Sequence, residues 1–127
     1  MTSSEYYISG LDFMNKGDFD RAIEDFKAAI KIETDYPVAK NKLYWAYCNR
    51  GNVFMKKKEL DSAIVDFTEA IKLDPNNYTA FNYRGMAHDM KGESEKAIED
   101  WELVLKSKPD DPTTKELIAM ARKDLGK

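Results

Sequence analysis

Apolar residues recur along this chain at the three- and four-residue spacing of helices that bury one face. The pattern is clearest at residues 19–32 and 60–71, where alanine, isoleucine and phenylalanine share a stripe and charged residues fill many of the other positions. Lys16-Gly17, Lys91-Gly92 and the prolines at 37, 75, 109 and 112 divide the chain into segments. No stretch alternates as a β-strand would. The sequence therefore predicts seven helices and an all-α fold.

These helical stripes are copies of one another. The stretch Ala63-Ile64-Val65-Asp66-Phe67 returns 34 residues later as Ala97-Ile98-Glu99-Asp100-Trp101, and an earlier copy begins 41 residues upstream, at Ala22. A repeat of this length is typical of helical hairpins that stack because each leaves an apolar face uncovered. The sequence predicts a single domain, 3–125, with repeats at 3–36, 44–77 and 78–111 and a capping helix at 112–125.

The seven residues 37–43 interrupt this period. Pro37 suits the first position of a helix, since proline lacks only an amide that would be unpaired there. Seven residues depart by only about 20° from two full helical turns, so they nearly preserve the register of the following face. We interpret residues 37–43 as an N-terminal extension of the third helix, with a longer loop as the alternative.

The repeated positions resemble the tetratricopeptide repeat family. That family has an aromatic residue, Leu-Gly and a tyrosine in the first helix, then alanine, an aromatic residue, alanine and a proline at the end of the second. The second repeat of this chain has the following residues there: Tyr47, Arg50-Gly51, Phe54, Ala63, Phe67, Ala70 and Pro75. The resemblance implies an all-α right-handed superhelix of three helical hairpins plus a C-terminal capping helix. Arg50 and Arg84 replace the usual leucine, and we expect their stems to lie along the hairpin with their heads in water.

In this family the first helices of the hairpins line a concave groove that receives a peptide or a helix. The resemblance therefore implies a peptide-binding groove formed by Tyr7, Leu11, Met14, Trp45, Cys48, Asn49, Asn52, Met55, Asn82, Met86, Met90 and Met120. Other matching positions carry polar or charged side chains: Ser4, Asn15, Lys56, Thr79, Asp89 and Glu116. Methionine is flexible and polarizable and suits varied apolar partners, although some of these methionines would equally fill joints between repeats.

Some members of the family use this groove to grip an acidic C-terminus through a clamp of lysine, asparagine and arginine. Of the five clamp positions only Asn49 matches, while the others hold Tyr7, Leu11, Thr79 and Tyr83. We therefore expect the partner to be another protein that presents an apolar or amphipathic peptide or helix. The alternative is structural self-assembly, in which a homo-oligomer forms through the same groove.

Composition narrows the possible partners further. The 127 residues carry a formal net charge of −3, and the only basic run is Lys56-Lys57-Lys58, so no basic stripe favours nucleic acid. No apolar run approaches the roughly 18 residues of a membrane span. The N-terminal residues do not resemble a secretory signal, and a lone cysteine suits a reducing compartment. We expect a cytoplasmic protein that binds neither nucleic acid nor a membrane.

Candidate chemistry is sparse. His88, the only histidine, occupies an aromatic core position of the repeat, which favours a packed side chain over a catalytic one. Cys48 has no cysteine or histidine near it in sequence that would complete a metal site. The glycines do not form a phosphate-binding loop. We expect no catalytic residues, no metal and no cofactor. We therefore expect that the protein is not an enzyme.

Overall fold

The computed structural model describes residues 1–126, which form seven α-helices and no strand. In chain order these are α1 (Ser3–Asn15), α2 (Phe19–Ile32), α3 (Pro37–Lys56), α4 (Leu60–Leu73), α5 (Thr79–Met90), α6 (Ser94–Ser107) and α7 (Pro112–Asp124). Helices α1 and α2, α3 and α4, and α5 and α6 pair as hairpins, and α7 packs against α6. Contacts of α2 with α3 and of α4 with α5 join the hairpins into one stack.

The turn inside each hairpin requires a residue with a left-handed backbone. Gly17 and Gly92 fill this position in the first and third hairpins, with φ of +78° and +84°. In the second hairpin the same position holds Lys58, with φ of +64°. An L-residue with a side chain loses about 1–2 kcal/mol in this conformation. Lys58, the last residue of the basic run Lys56-Lys57-Lys58, is therefore a strained turn residue. The run of lysines in the sequence did not reveal this.

Residues 37–43 form the first two turns of α3 rather than a loop, which makes α3 20 residues long. Proline opens the helix at its first position, as the sequence suggested. The added turns are packed on one side, because Ala39 and Leu43 are 0% and 4% exposed, whereas Val38 is 54% exposed. The extension is therefore part of the core of the stack as well as part of its surface.

A ring packed over a glycine joins the two helices of every hairpin. Phe67 of α4 lies so close to Gly51 of α3 that a Cβ atom there would come within 2.6 Å of Cε1 of the ring. Phe26 lies over Gly10 in the same way, and Trp101 over Gly85. The structure shows that each glycine makes room for the aromatic ring of the second helix.

Buried residues form three clusters along the stack. The largest spans the first two hairpins and reaches α5, and it includes Phe26, Tyr44 and Tyr47. A second surrounds Phe67, and the third joins Trp101 of α6 to α7. The seventh helix thus covers the apolar face that the last hairpin would otherwise expose.

Candidate peptide-binding groove

At the N-terminal end of the predicted groove the side chains are held by the core. The Tyr7 ring lies between Phe26 and Tyr36, with centroids 5.9 Å and 5.5 Å away. Leu11 and Met14 are half-buried and pack against the largest core cluster. These three residues are therefore packed against the core, and only part of each side chain is exposed.

The middle of the predicted groove belongs to α3. Trp45 is half-buried and stands edge-on to Tyr44, with ring centroids 5.1 Å apart and planes at 84°. Met55 is half-buried against the cluster around Phe67. Within residues 1–126 the half-buried side chains of Asn49 and Asn52 have no hydrogen-bond partner, which leaves both amides available to a ligand.

The C-terminal end of the predicted groove is the most exposed. Met86, Met90 and Met120 are 38%, 42% and 64% exposed. Met86 and Met90 are one turn apart on α5, so they share a helix face. Met120 lies on the capping helix α7, so the exposed methionines belong to two helices at this end of the stack.

A cavity of about 550 Å³ opens between the N-terminal parts of α5 and α7, with the end of α6 as its third wall. Two predicted groove positions line it, Asn82 and Thr79. Its charged residues are Asp74, Lys108 and Asp111. The sequence did not reveal this cavity, because its walls come from two loops and three helices that meet only in the fold.

Asn82 has an unusual environment within this cavity. Its Oδ1 atom is buried and accepts no hydrogen bond from any described residue. A buried acceptor without a donor costs about 1–3 kcal/mol, so the amide gains from a reorientation that lets this oxygen meet a donor. Among the amides at predicted groove positions, Asn82 is therefore the one with a buried oxygen that lacks a donor in the described chain.

Cys48 is buried and is not accessible to a ligand, so its inclusion among the groove residues was wrong. The side chain is only 1% exposed and lies in the largest core cluster. Burial raises the pKa of the Cys48 thiol to about 12, while a hydrogen bond with Tyr44 opposes this shift. Helix α3 contacts α2, α4 and α5, and this packing buries a position that the resemblance places in the groove.

Tyr44 joins the second and third repeats, a role that the sequence analysis missed. Its hydroxyl donates to the carbonyl oxygen of Asn77 at 3.1 Å and accepts from the Ala80 amide at 3.0 Å. This fixes the loop before α5 and so the position of the cavity. One signal was present in the sequence: both the second and third repeats begin with tyrosine, at Tyr44 and Tyr78.

The heads of Arg50 and Arg84 do not simply extend into water, so that expectation was wrong. Arg50 donates two hydrogen bonds to Asp66, from Nε and Nη2, both 2.8 Å long. Arg84 pairs with Asp100 in the same way, at 2.9 and 2.8 Å. Both aspartates are buried, at 2% and 3% exposed. These arginines clamp the two helices of a hairpin and are not groove residues.

His88 is packed and paired. Its Nδ1 lies 2.9 Å from Oε1 of Glu93, and only 12% of its side chain is exposed. Across residues 1–126 no three histidine, cysteine, aspartate or glutamate side chains gather where they could hold a metal ion. In the same part of the chain, every helix is too short or too polar to cross a membrane.

The family follows from the sequence as a whole. Three tetratricopeptide repeat models match the chain, at residues 6–36, 44–77 and 67–99. The chain belongs to the tetratricopeptide repeat family. The stack of hairpins described above is the all-α superhelix of tetratricopeptide proteins.

Solved tetratricopeptide structures share this fold over nearly the whole chain. The second such domain of human RPAP3, in complex with the HSP70 peptide SGPTIEEVD, is 25% identical, with a TM-score of 0.66 and coverage of 94% of this chain and 98% of that one. The Arabidopsis OM64 domain is 24% identical, with a TM-score of 0.63 and coverage of 96% and 95%. A tetratricopeptide repeat protein from Parabacteroides merdae is 26% identical, with a TM-score of 0.69 and coverage of 98% and 47%. A comparison with curated proteins returns no match.

Proposed function

We propose that this chain is a non-catalytic interaction module that binds an apolar or amphipathic segment of another protein along its first helices. The observation that carries the proposal is the exposure of Met86 and Met90 on α5 and of Met120 on the capping helix α7, since neighbouring exposed apolar side chains favour an interaction site. Methionine side chains adapt to the shape of what they contact, so such a surface suits a helix or an extended peptide.

A peptide-bound neighbour supports the general mode of binding. The RPAP3 domain that is 25% identical over 94% of this chain holds an HSP70 peptide. Its ligand does not transfer directly, because the clamp positions of this chain carry no cation. Tyr7 occupies one of them, between two rings, and Tyr83 occupies another, stacked on Phe67 at 5.5 Å. Rings at these positions favour an apolar contact over an acidic terminus.

The amides along the middle of the groove suit the backbone of a bound segment. Asn49 and Asn52 each have an unpaired side-chain donor and acceptor among the described residues. On α3, Asn49 lies one turn after the half-buried Trp45, and Asn52 lies about two turns after it. Apolar anchors flanked by free amides give both affinity and orientation, the combination found in peptide-binding pockets.

The double variant Met86→Glu, Met90→Glu tests the proposal. These side chains are exposed and fill little core, so the melting temperature should change little. Binding of a partner captured from the native host should weaken by about thirtyfold in Kd or more, roughly 2 kcal/mol, because charge replaces apolar anchors in a dry contact. The matched control is Val65→Glu on α4, a second helix, where an apolar side chain is 59% exposed.

Each outcome separates the possibilities. Loss of binding in the double variant but not in the Val65 control supports the groove. Unchanged affinity in a folded double variant places the binding surface elsewhere and overturns the proposal. Light scattering on the unliganded protein shows whether the occupant is a second copy, since only then does the mass rise with concentration and fall again in the double variant.

A further inference from the structure

We propose that the cavity between α5 and α7 receives a cationic side chain of the bound segment, most favourably an arginine, so that the partner is basic as well as apolar. This inference rests on the proposed function and adds the charge of the ligand to it. The cavity lies beside Asn82 on the face of α5 that also carries Met86, one turn further along. A segment anchored on the methionines would therefore reach it.

The charges that line the cavity favour a cation. Among the described residues, the charged side chains that line the cavity are two carboxylates, Asp74 and Asp111, and one ammonium group, that of Lys108. Asp111 caps α7, accepting from the Thr114 hydroxyl and from its amide at 3.0 Å, and these bonds lower the pKa of its carboxyl group. The Asp74 carboxylate has no hydrogen bond or ion pair among residues 1–126. One negative charge in the cavity is therefore left uncompensated.

Two aromatic walls strengthen this preference. Tyr78 and Tyr83 both line the cavity. A guanidinium group over the face of a tyrosine is attracted to its π-electrons. The chain makes the same contact internally, where the Arg84 guanidinium lies 5.4 Å from the Phe81 ring centroid and pairs with Asp100. A ligand arginine between a tyrosine and Asp74 would repeat that arrangement.

The amide of Asn82 completes the site. Its buried Oδ1 lacks a donor among the described residues, and Asn82 lines the cavity, so a ligand that donates there would supply one. Arginine suits such a site better than any neutral side chain, because its planar head presents five donors and no acceptor. A carboxylate ligand would find only Lys108 as a cation and would face both Asp74 and Asp111.

Two acidic side chains near the cavity add to its negative charge. Asp89 is one turn beyond Met86 on the same face of α5, and Glu116 is one turn before Met120 on α7. Within the described residues neither side chain forms a hydrogen bond or ion pair. This end of the groove therefore attracts a basic segment and repels an acidic one, and the attraction weakens as salt is added.

A library of random 12-residue peptides displayed on phage tests the inference, because it offers apolar, basic and acidic segments to the groove alike. Peptides selected on the full chain should combine apolar residues with at least one arginine or lysine. In a synthetic copy of a selected peptide, replacing that residue by alanine should weaken binding about threefold to fivefold, and replacing it by glutamate should weaken it further. Lysine in place of arginine should retain much of the affinity.

Variants of the protein locate the effect. Asp74→Asn should raise the Kd of the arginine peptide about threefold and leave the Kd of its alanine copy unchanged. Lys108→Glu should lower the Kd of the arginine peptide, because it replaces the cation of the cavity with a carboxylate. The control Glu99→Gln, an exposed acid on α6, should change neither, although the net charge of the protein changes by the same amount as in Asp74→Asn.

The outcomes distinguish this inference from the proposed function. Selected peptides that are apolar but neutral or acidic, and that lose binding to Met86→Glu, Met90→Glu, overturn the basic ligand and leave the groove intact. Peptides whose binding ignores that double variant overturn the groove itself. Arginine peptides that respond equally to Asp74→Asn and Glu99→Gln overturn the cavity as their site.

Discussion

Arg50 of α3 holds Asp66 of α4 in a two-bond, side-by-side ion pair, with both nitrogen–oxygen distances at 2.8 Å. A third nitrogen of the same guanidinium reaches Asp20 of the preceding hairpin at 3.0 Å. One side chain thus ties two helices of one repeat to the repeat before it. Arg84 repeats the arrangement with Asp100, and its third contact is with Thr68 at 3.3 Å.

We expect Arg50→Leu to destabilise the protein although leucine is the usual residue of the family here. The change leaves the Asp66 carboxylate, 2% exposed, without its cation. Removing one partner of a buried pair costs about 3–5 kcal/mol, and the partial exposure of Arg50 places the expected loss near the lower limit. Urea unfolding measures it.

The double variant Arg50→Leu, Asp66→Leu is the control for that experiment. It removes both charges and replaces them with apolar groups, which is often neutral or stabilising at buried pairs. It should recover most of the lost stability. A double variant as unstable as the single one would show that the ion pair itself, and not an orphaned carboxylate, sets the stability of this hairpin.

Gly51→Ala should destabilise the second hairpin despite the higher helix propensity of alanine. The propensity gain is about 1 kcal/mol. The new Cβ would lie 2.6 Å from Cε1 of Phe67, and such overpacking costs about 1–3 kcal/mol. The difference is a net loss of up to roughly 2 kcal/mol, which chemical denaturation measures. In a Phe67→Leu background the same change should be harmless, and an equal loss in both backgrounds would refute the close contact.

Lys58→Gly should stabilise the protein. Lys58 has φ of +64° at the turn where the other hairpins have glycine. Relief of the left-handed strain, less the extra entropy of glycine in the unfolded chain, leaves a gain of about 0.5–1 kcal/mol. Thermal melts should show a higher midpoint. Lys57→Gly, one residue earlier at φ of −85°, is the control and should lower it.

The Cys48 thiol should be inert in the folded protein. Burial raises its pKa to about 12, so little thiolate forms at mildly alkaline pH, and the side chain is 1% exposed. Reaction with a chromogenic disulfide such as Ellman's reagent should be absent from the native protein and complete in denaturant. Immediate reaction of one thiol per native chain would return Cys48 to the groove surface.

Stability should depend on Glu93 between about pH 4.5 and pH 2. A hydrogen bond from His88, followed by that from Lys96 and the nearby Lys91, lowers the pKa of Glu93 to about 2 from its usual 4.5. A lowered acid pKa contributes stability above the unfolded pKa and loses it as the pH falls through the folded value. The melting-temperature advantage over Glu93→Gln should shrink across this range. Glu99→Gln should show no such trend.

Periodicity in the sequence was sufficient for the elements of this fold. Apolar stripes on residues 19–32 and 60–71, with glycine and proline between segments, predicted helices that the structure has as α2 and α4. A repeated residue type at a repeated spacing also identified the hairpin stack, and the family models confirmed it. Local spacing carries this information because each hairpin folds largely through contacts within itself and with its neighbours.

The exposure of the side chains at the groove positions could not be predicted from periodicity. The register placed Cys48 and Met86 among the groove positions, yet Cys48 is 1% exposed and Met86 38%. Burial depends on which neighbouring helix covers a position, and α3 is packed from both sides whereas the face of α5 near α7 is open. Repeat register states where a side chain points but not what lies opposite it.

The helices, their order and the resemblance that placed a groove on the first helices all follow from the order of residues along the chain. The pairing of Arg50 with Asp66, the link that Tyr44 makes between two repeats and the cavity beside Asn82 emerge only once the helices are packed. Helix formation and hairpin pairing depend on periodic contacts close in sequence. Hydrogen-bond partners, cavities and charge compensation depend instead on distances in the folded structure, and the period of the sequence does not specify those distances.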